Sequence, residues 1–184
     1  LKIQKAMKPS LFKQRIMTLA VLLFSMSLTA TAEEVSKEYH KESTPGPNST
    51  LNITNKFGDV VTETWTENRI VVDVKVTVEN SSAEKAKKIM QMIEVAFTEE
   101  NGSLTAVTNF DDNFSDIHWG NDNNRFSIDY SVKMPANVNL TISNKYGNTE
   151  IDEVSGQVIL DLKYGNLFAG KLNRGNVKPI NSIS

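Results

Sequence analysis

Three stretches of this chain carry nearly the same pattern. "LNITNKFGDVVT" at residues 51–62 returns 89 residues later as "LTISNKYGNTEI" at 140–151, and 18 residues further on as "VILDLKYGNLFA" at 158–169. Each copy holds a lysine (Lys56, Lys145, Lys163), an aromatic residue (Phe57, Tyr146, Tyr164), a glycine (Gly58, Gly147, Gly165), and then Asp59, Asn148 or Asn166. Apolar residues stand six and four places before the aromatic: Leu51 and Ile53, Leu140 and Ile142, Val158 and Leu160. Seven places past each glycine the residue is again apolar, as Trp65, Val154 and Leu172. The unit reads as strand, aromatic, glycine turn, strand.

Side chains alternate faces along a strand, so the aromatic shares a face with the apolar residues before it and is expected to cap a buried row. Glycine beside Asp or Asn suits a tight corner, where a side chain would clash. The lysine falls on the other face, where it keeps the surface wet and discourages edge-to-edge pairing. The 18-residue step is about one turn of a β-solenoid, in which each coil leaves an apolar row that only the next coil covers. We therefore expect a mainly β fold, a short β-solenoid. A β-meander or sandwich with similar hairpins would produce the same turn chemistry.

Between the first two copies lies an insert, residues 68–135. Ile70, Val72, Val74, Val76 and Val78 alternate with polar residues, which predicts a strand with one wet face. Ser81 stands three residues before Glu84, the spacing of a capping box, and Ala86, Ile89, Ile93 and Ala96 succeed it at helical intervals. A helix over 83–99 is predicted, then a strand from "SLTAVTNF". Phe126, Ile128, Tyr130, Val132 and Met134 alternate into a further strand that Pro135 stops. The strand-helix-strand-strand insert reads as an amino-terminal cap on the sheet. Residues 33–50, with Pro45-Gly46-Pro47, read as a polar lead-in, and 51–184 as the repeat domain. After the third copy, the next aromatic-glycine pair would fall near Ser182 and Ile183, and neither residue fits. Either the last coil is degenerate or the chain is the front of a longer protein; the second is favoured, because an open solenoid end needs a cap.

Residues 1–32 carry Lys2, Lys5, Lys8, Lys13 and Arg15, no acid, and then "IMTLAVLLFSMSLTATA". This is the layout of a secretory signal peptide, with cleavage predicted after Ala32; a retained membrane anchor is the alternative. Of 20 basic and 22 acidic residues the leader takes five basic ones, leaving 15 against 22, a formal charge of −7. A mildly acidic surface argues against nucleic acid or anionic lipid as partners. With no cysteine, disulfides, thiolate metal sites and thiol nucleophiles are excluded, and stability must come from burial and backbone pairing.

The stretches "LNITNKFGDV", "FSIDYSVKMPANVNLTISNKYGNTEI" and "LDLKYGNLFAGKL", together with the leader, resemble the exported bacterial adhesin-like β-strand repeat family of unknown function, of the auto-transporter adhesin head domain type common in Bacteroidetes. The resemblance covers most of 35–175. It implies a right-handed, β-helix-like domain, secreted, periplasmic or at the cell surface, with no catalytic residue to carry over. The few repeats depart from that family's extended form.

Asp111, Asp112, Asp116 and Asp122, among several asparagines, offer hard oxygen ligands that calcium could use, although their spacing matches no calcium-loop template. The same loop holds His118 and Trp119, read either as an exposed contact or as a ring folded back on the sheet. His40 beside Lys41 and Glu42 reads as a solvated side chain. Six Asn-X-Ser/Thr triplets, at Asn48, Asn52, Asn80, Asn101, Asn113 and Asn139, reflect an Asn- and Thr-rich strand composition. Glycoside hydrolysis would need two carboxylates facing one groove, for which Asp152, Glu153 and Asp161 are the candidates, and none of them pairs convincingly. No Gly-X-Ser-X-Gly elbow or phosphate-binding glycine loop occurs. No cofactor is expected. The leading expectation is a non-enzymatic exported module that binds a protein or glycan at the cell envelope, with no stable membrane span once the leader is removed. A carbohydrate-active β-helix enzyme and an envelope-stress sensor component are the alternatives.

Overall fold

A computed structural model describes residues 33–117, 124–172 and 177–179. The strands are β1 (Glu33–Ser43), β2 (Thr50–Phe57), β3 (Val60–Trp65), β4 (Ile70–Asn80), β5 (Ile93–Glu100), β6 (Ser103–Phe110), β7 (Arg125–Pro135), β8 (Asn139–Tyr146), β9 (Thr149–Ile151), β10 (Val158–Tyr164), β11 (Leu167–Ala169) and β12 (Val177–Pro179). Among the described residues there is one α-helix, α1 (Ala83–Gln91), between β4 and β5, and a 3-10 turn spans Asp112–Asp116. The fold is mainly β. Sheet 1 has the order β1-β4-β7-β3-β9-β11 and sheet 2 the order β12-β10-β8-β2-β6-β5.

Each repeat copy crosses from one sheet to the other at its glycine: β2 to β3, β8 to β9, β10 to β11. Within both sheets the copies lie side by side in parallel register. Leu104, Leu51, Leu140 and Val158 fall opposite one another, as do Ala106, Ile53, Ile142 and Leu160. These rows, with Val60, Tyr130, Val132, Met134 and Ile151 of sheet 1, form one buried cluster. Burying each large aliphatic side chain in it contributes about 1.5–3 kcal/mol. Pairing turns antiparallel only toward the amino-proximal end, at β1/β4, β4/β7 and β5/β6. Both sheets are therefore mixed, and neither closes on itself.

The structure departs from the sequence reading at three places. Residues 33–43, read as lead-in, are an edge strand paired along its whole length with β4. Its charged side chains are what an exposed sheet edge carries to resist further pairing. The helix ends at Gln91 rather than 99: the Met92 N–H donates to the Ile89 carbonyl at 3.0 Å, and Ile93 onward becomes β5. Ile93, Val95 and Phe97 fit a period of two as well as a helical one, and the β-branched Ile93 and Val95 favour the strand once β6 is there to pair with it. The helix cap is Ser82, whose hydroxyl accepts from the Lys85 N–H at 3.5 Å, while Asn80 Oδ1 accepts from the Ser82 N–H at 2.7 Å. Ser81 plays no part in that cap. Ala86, Ile89 and Met90 of α1 are buried where the helix lies against β1 and β4.

Candidate functional site

The corner where the copies cross between sheets is built from repeated bonds. Gly58 and Gly147 adopt φ of 111° and 145°, a region that disfavours any side chain. A Cβ on Gly147 would sit 2.0 Å from the Gly58 carbonyl oxygen, and one on Gly165 would sit 1.9 Å from that of Gly147, so the turns stack backbone on backbone. The Gly58 N–H donates to the Tyr146 carbonyl at 2.8 Å, and the Gly147 N–H to the Tyr164 carbonyl at 3.2 Å. The residue after each glycine forms a second ladder. Asp129 Oδ1 accepts from the Asp59 N–H (2.9 Å), Asp59 Oδ1 from the Asn148 N–H (2.7 Å), and Asn148 Oδ1 from the Asn166 N–H (3.2 Å).

Outside the corner, the rings of Phe57, Tyr146 and Tyr164 stack nearly parallel, with centroids 5.1 and 5.0 Å apart. Phe126 and Phe110 continue the series edge-on below Phe57, at 4.8 and 5.8 Å. Lys56 and Lys145 lie over their neighbouring rings at 5.1 Å. The rings grow more exposed along the stack: Phe57 is half-buried, Tyr146 is 38% exposed and Tyr164 69% exposed.

Inside the corner runs a polar seam that sequence reasoning missed. Asn55 Nδ2 donates to the Ile128 carbonyl at 2.9 Å, Thr108 Oγ1 donates to Asn55 Oδ1 at 3.2 Å, and Tyr130 Oη lies 2.7 Å from Thr108 Oγ1. Burial pushes the Tyr130 phenol up to about 12. Asn144 occupies the same position as Asn55 in the next copy and donates to the Gly58 carbonyl at 3.0 Å. In the third copy the position is Leu162. The signal for this seam was available: asparagine two places before the aromatic falls on the inward face.

The outer face of sheet 1 carries a groove of about 550 Å³, lined by Glu38, His40, Asp59, Asp73, Asp129 and Ser131, with Val61 and Lys75 among its other walls. A second hollow of about 370 Å³ shares Val61 and continues past Glu150 to Phe168. Strand register fixes the row across this face: His40 opposite Asp73, Asp73 opposite Ser131, Ser131 opposite Val61, Val61 opposite Glu150, Glu150 opposite Phe168. His40 Nδ1 lies 2.5 Å from Asp73 Oδ1, and its Nε2 lies 3.4 Å from Glu42 Oε1. The hydrogen bond to Asp73 raises the His40 pKa. Sequence reading took His40 as merely solvated, because its partner depends on the pairing of β1 with β4. The arrangement is not a hydrolase triad: Asp73 stands between His40 and Ser131, so the imidazole faces two carboxylates and not the hydroxyl.

The other candidates are placed apart. Asp111 caps the 3-10 turn, its Oδ1 accepting from the Asn113 N–H at 2.9 Å, a bond that holds its carboxyl below the usual range. Asp112 opens that turn and Asp116 closes it, while Asp122, His118 and Trp119 lie outside the described residues. Among the described residues no group of three or more His, Cys, Asp or Glu converges as a metal site. Asp152 Oδ2 accepts from the Thr64 N–H (3.3 Å) and Oγ1 (3.0 Å), which holds its carboxyl low. Glu153 lies 3.3 Å from Lys171 Nζ. Asp152 and Glu153 come directly after β9 of sheet 1, whereas Asp161 stands on β10 of sheet 2, so the three do not share a groove.

No family model and no curated protein matches the chain. Among solved structures, it is similar to a putative cell adhesion protein from Clostridium sporogenes at 14% identity and a TM-score of 0.39, over 72% of this chain and 59% of that one. A putative adhesin from Bacteroides fragilis aligns at 12% identity and a TM-score of 0.36, over 83% and 61%. A putative lipid binding protein from Parabacteroides distasonis aligns at 11% and 0.30, over 80% and 67%. The chain thus spans about three-fifths of the length of the first two. At such identities and TM-scores these likenesses assign neither family nor function. Among the described residues no helix is long and apolar enough to cross a membrane.

Proposed function

We propose that this chain is an exported, non-enzymatic binding or scaffolding module of adhesin-like type, working at the cell surface or in the periplasm. Its architecture in this reading is a short β-solenoid, supported by the parallel register of the three copies and by the stacked rings of Phe57, Tyr146 and Tyr164. The leader ending at Ala32 supports export.

The observation that carries the reading is the groove on the outer face of sheet 1. Paired strands hold its walls, so side chains are displayed from a stiff surface, as a recognition site requires. Glu38, Asp59, Asp73 and Asp129 outnumber Lys75 and His40 there, which favours a basic segment of a partner protein over an anionic ligand.

The test titrates the protein with a lysine-rich peptide and, separately, with neutral oligosaccharides, monitoring backbone amide shifts. Saturable shifts at Val61, Asp73 and Ser131 that weaken with added salt are expected for the peptide. Turnover of a polysaccharide, abolished by changing Asp152, Glu153 and Asp161 together, would instead establish the enzyme reading.

A further inference from the structure

Two acids hold His40 in the wall of the groove on sheet 1. Its Nδ1 lies 2.5 Å from Asp73 Oδ1, across the pairing of β1 with β4, and its Nε2 lies 3.4 Å from Glu42 Oε1 on its own strand. An imidazolium has an N–H on both nitrogens and satisfies both carboxylates at once. The neutral ring has only one. Donated to Asp73, the closer partner, that N–H leaves the Nε2 lone pair facing Glu42, and the ring no longer offsets the charge of either acid. Arg69 pairs with Glu42 independently of the ring, its Nη1 donating to both carboxylate oxygens at 3.1 and 3.0 Å, while its Nη2 pairs with Glu67 at 2.7 Å. The charge uncovered by loss of the imidazole proton is therefore chiefly that of Asp73. The other charged groups on this face are Glu38 of β1, Lys75 of β4, Asp129 and Lys133 of β7, and Asp59 at the corner before β3. On the reverse side of β1, Lys41 and Glu99 pair with each other at 3.2 Å. Of these residue types, only histidine ordinarily changes its charge between pH 5 and 8.

We propose that His40 makes capture of a basic segment by this groove depend on pH: the protonated ring occupies Asp73 and holds the segment off, and loss of the proton releases that carboxylate to an incoming lysine or arginine. The inference rests on the reading of the groove as a site for a basic segment of a partner protein. With the ring charged, Glu38, Asp59, Asp73 and Asp129 are opposed by Lys75 and His40; with the ring neutral, Lys75 alone opposes them. Asp73 is also well placed to receive a cation, because Ser131 and then Val61 follow it across the strands. A lysine or arginine head at Asp73 can lay its alkyl stem along Val61. The hydrogen bond to Asp73 raises the His40 pKa and so moves the change toward neutral pH. The sign follows directly. Below the folded pKa of His40 the ring competes and binding is weak; above it the carboxylate is free and binding is tighter. Linkage makes the effect reciprocal, so a bound basic segment lowers the His40 pKa.

The test uses the full chain and a lysine-rich peptide that is acetylated at its amino end and lacks histidine, so that nothing in the probe titrates near neutrality. Calorimetric titrations at constant ionic strength are run on both sides of the His40 pKa. The affinity is expected to rise by about twofold to fivefold from the acid to the alkaline side, the size of an exposed ion pair gained. In the saturated complex, the imidazole proton resonances are expected to titrate at a lower pH than in the free protein. The chain's other histidine is His118, so His40→Gln assigns the effect: this variant is expected to bind at every pH with about the alkaline-side affinity of the parent chain. Affinity that does not change with pH, while amide shifts at Asp73 and Ser131 still saturate, would overturn this inference and leave the groove reading standing. So would a pH dependence that survives His40→Gln, or a His40 pKa that saturating peptide does not move. Absence of binding at every pH would overturn the groove reading and this inference with it.

Discussion

The two ends of the stacked sheets differ in how the outermost layer is covered. Beyond β7 in sheet 1 come β4 and the charged strand β1, with α1 laid against both, and the Tyr39 hydroxyl and Lys41 reach across to Ile93 and Glu99 of β5. At the other end β11 is the outermost strand of sheet 1 among the described residues, and Tyr164, Leu167 and Phe168 are exposed. One sequence unit thus has more than one energetic context. With neighbours on both sides, its apolar rows are wholly buried and its inward corner position can hold a hydrogen-bonded asparagine. In the last copy the inward position is Leu162 and the outer ring is wet. The lesson is that the repeat encodes the junction between layers, and stability accrues where both junctions are made.

Changing one apolar position in the middle and one at the open end tests that difference most strongly. Ile142 is fully buried, so Ile142→Ala is expected to cost about 2–5 kcal/mol in denaturant unfolding. Leu167→Ala is expected to stay within about 1 kcal/mol, because nearly half of that side chain already meets water. Equal losses would mean that the open end is as well packed as the middle.

Glycine substitutions sharpen the same contrast at smaller amplitude. Gly147→Ala combines a φ of 145° with a Cβ 2.0 Å from backbone, and is expected to lose about 3 kcal/mol. Gly165→Ala makes a comparable clash but sits in the outermost described layer, where Tyr164 and Leu167 are exposed, so about half that loss is expected from its melting curve.

The polar seam is confined to the inner layers. Tyr130→Phe removes the hydroxyl beside Thr108 and is expected to cost about 1–2 kcal/mol. The smallest effect lies at the groove. His40 has a folded pKa above its ordinary 6.5 because it is hydrogen-bonded to Asp73, so its contribution to stability is complete below that value and fades as pH rises through the folded pKa. A proton titration read by NMR is expected to place His40 above 6.5, and Asp73→Asn to bring it back toward that value.

Much of the strand pattern was legible because the burial period and the turn chemistry are both local. The alternation of Ile70–Val78 and Phe126–Met134 is an example, and so is the glycine beside Asp59 or Asn148. Where two periods fit the same residues, as at Ile93–Phe97, only the presence of β6 decided the outcome. The charged strand β1 was illegible, since an edge strand facing water needs few apolar residues to form. The groove was illegible for another reason: the meeting of His40 with Asp73 depends on register between strands, which no spacing in the sequence specifies.

Bonds that run from each copy to the next, with no receiving strand beyond β11 among the described residues, are the centre of this account. Amide hydrogen exchange reads them individually. The N–H groups of Gly58 and Gly147 donate to Tyr146 and Tyr164 and are expected to exchange slowly, while that of Gly165 is expected to exchange at close to the rate of an open loop. Equal protection of all three, or fast exchange at Gly147, would contradict it.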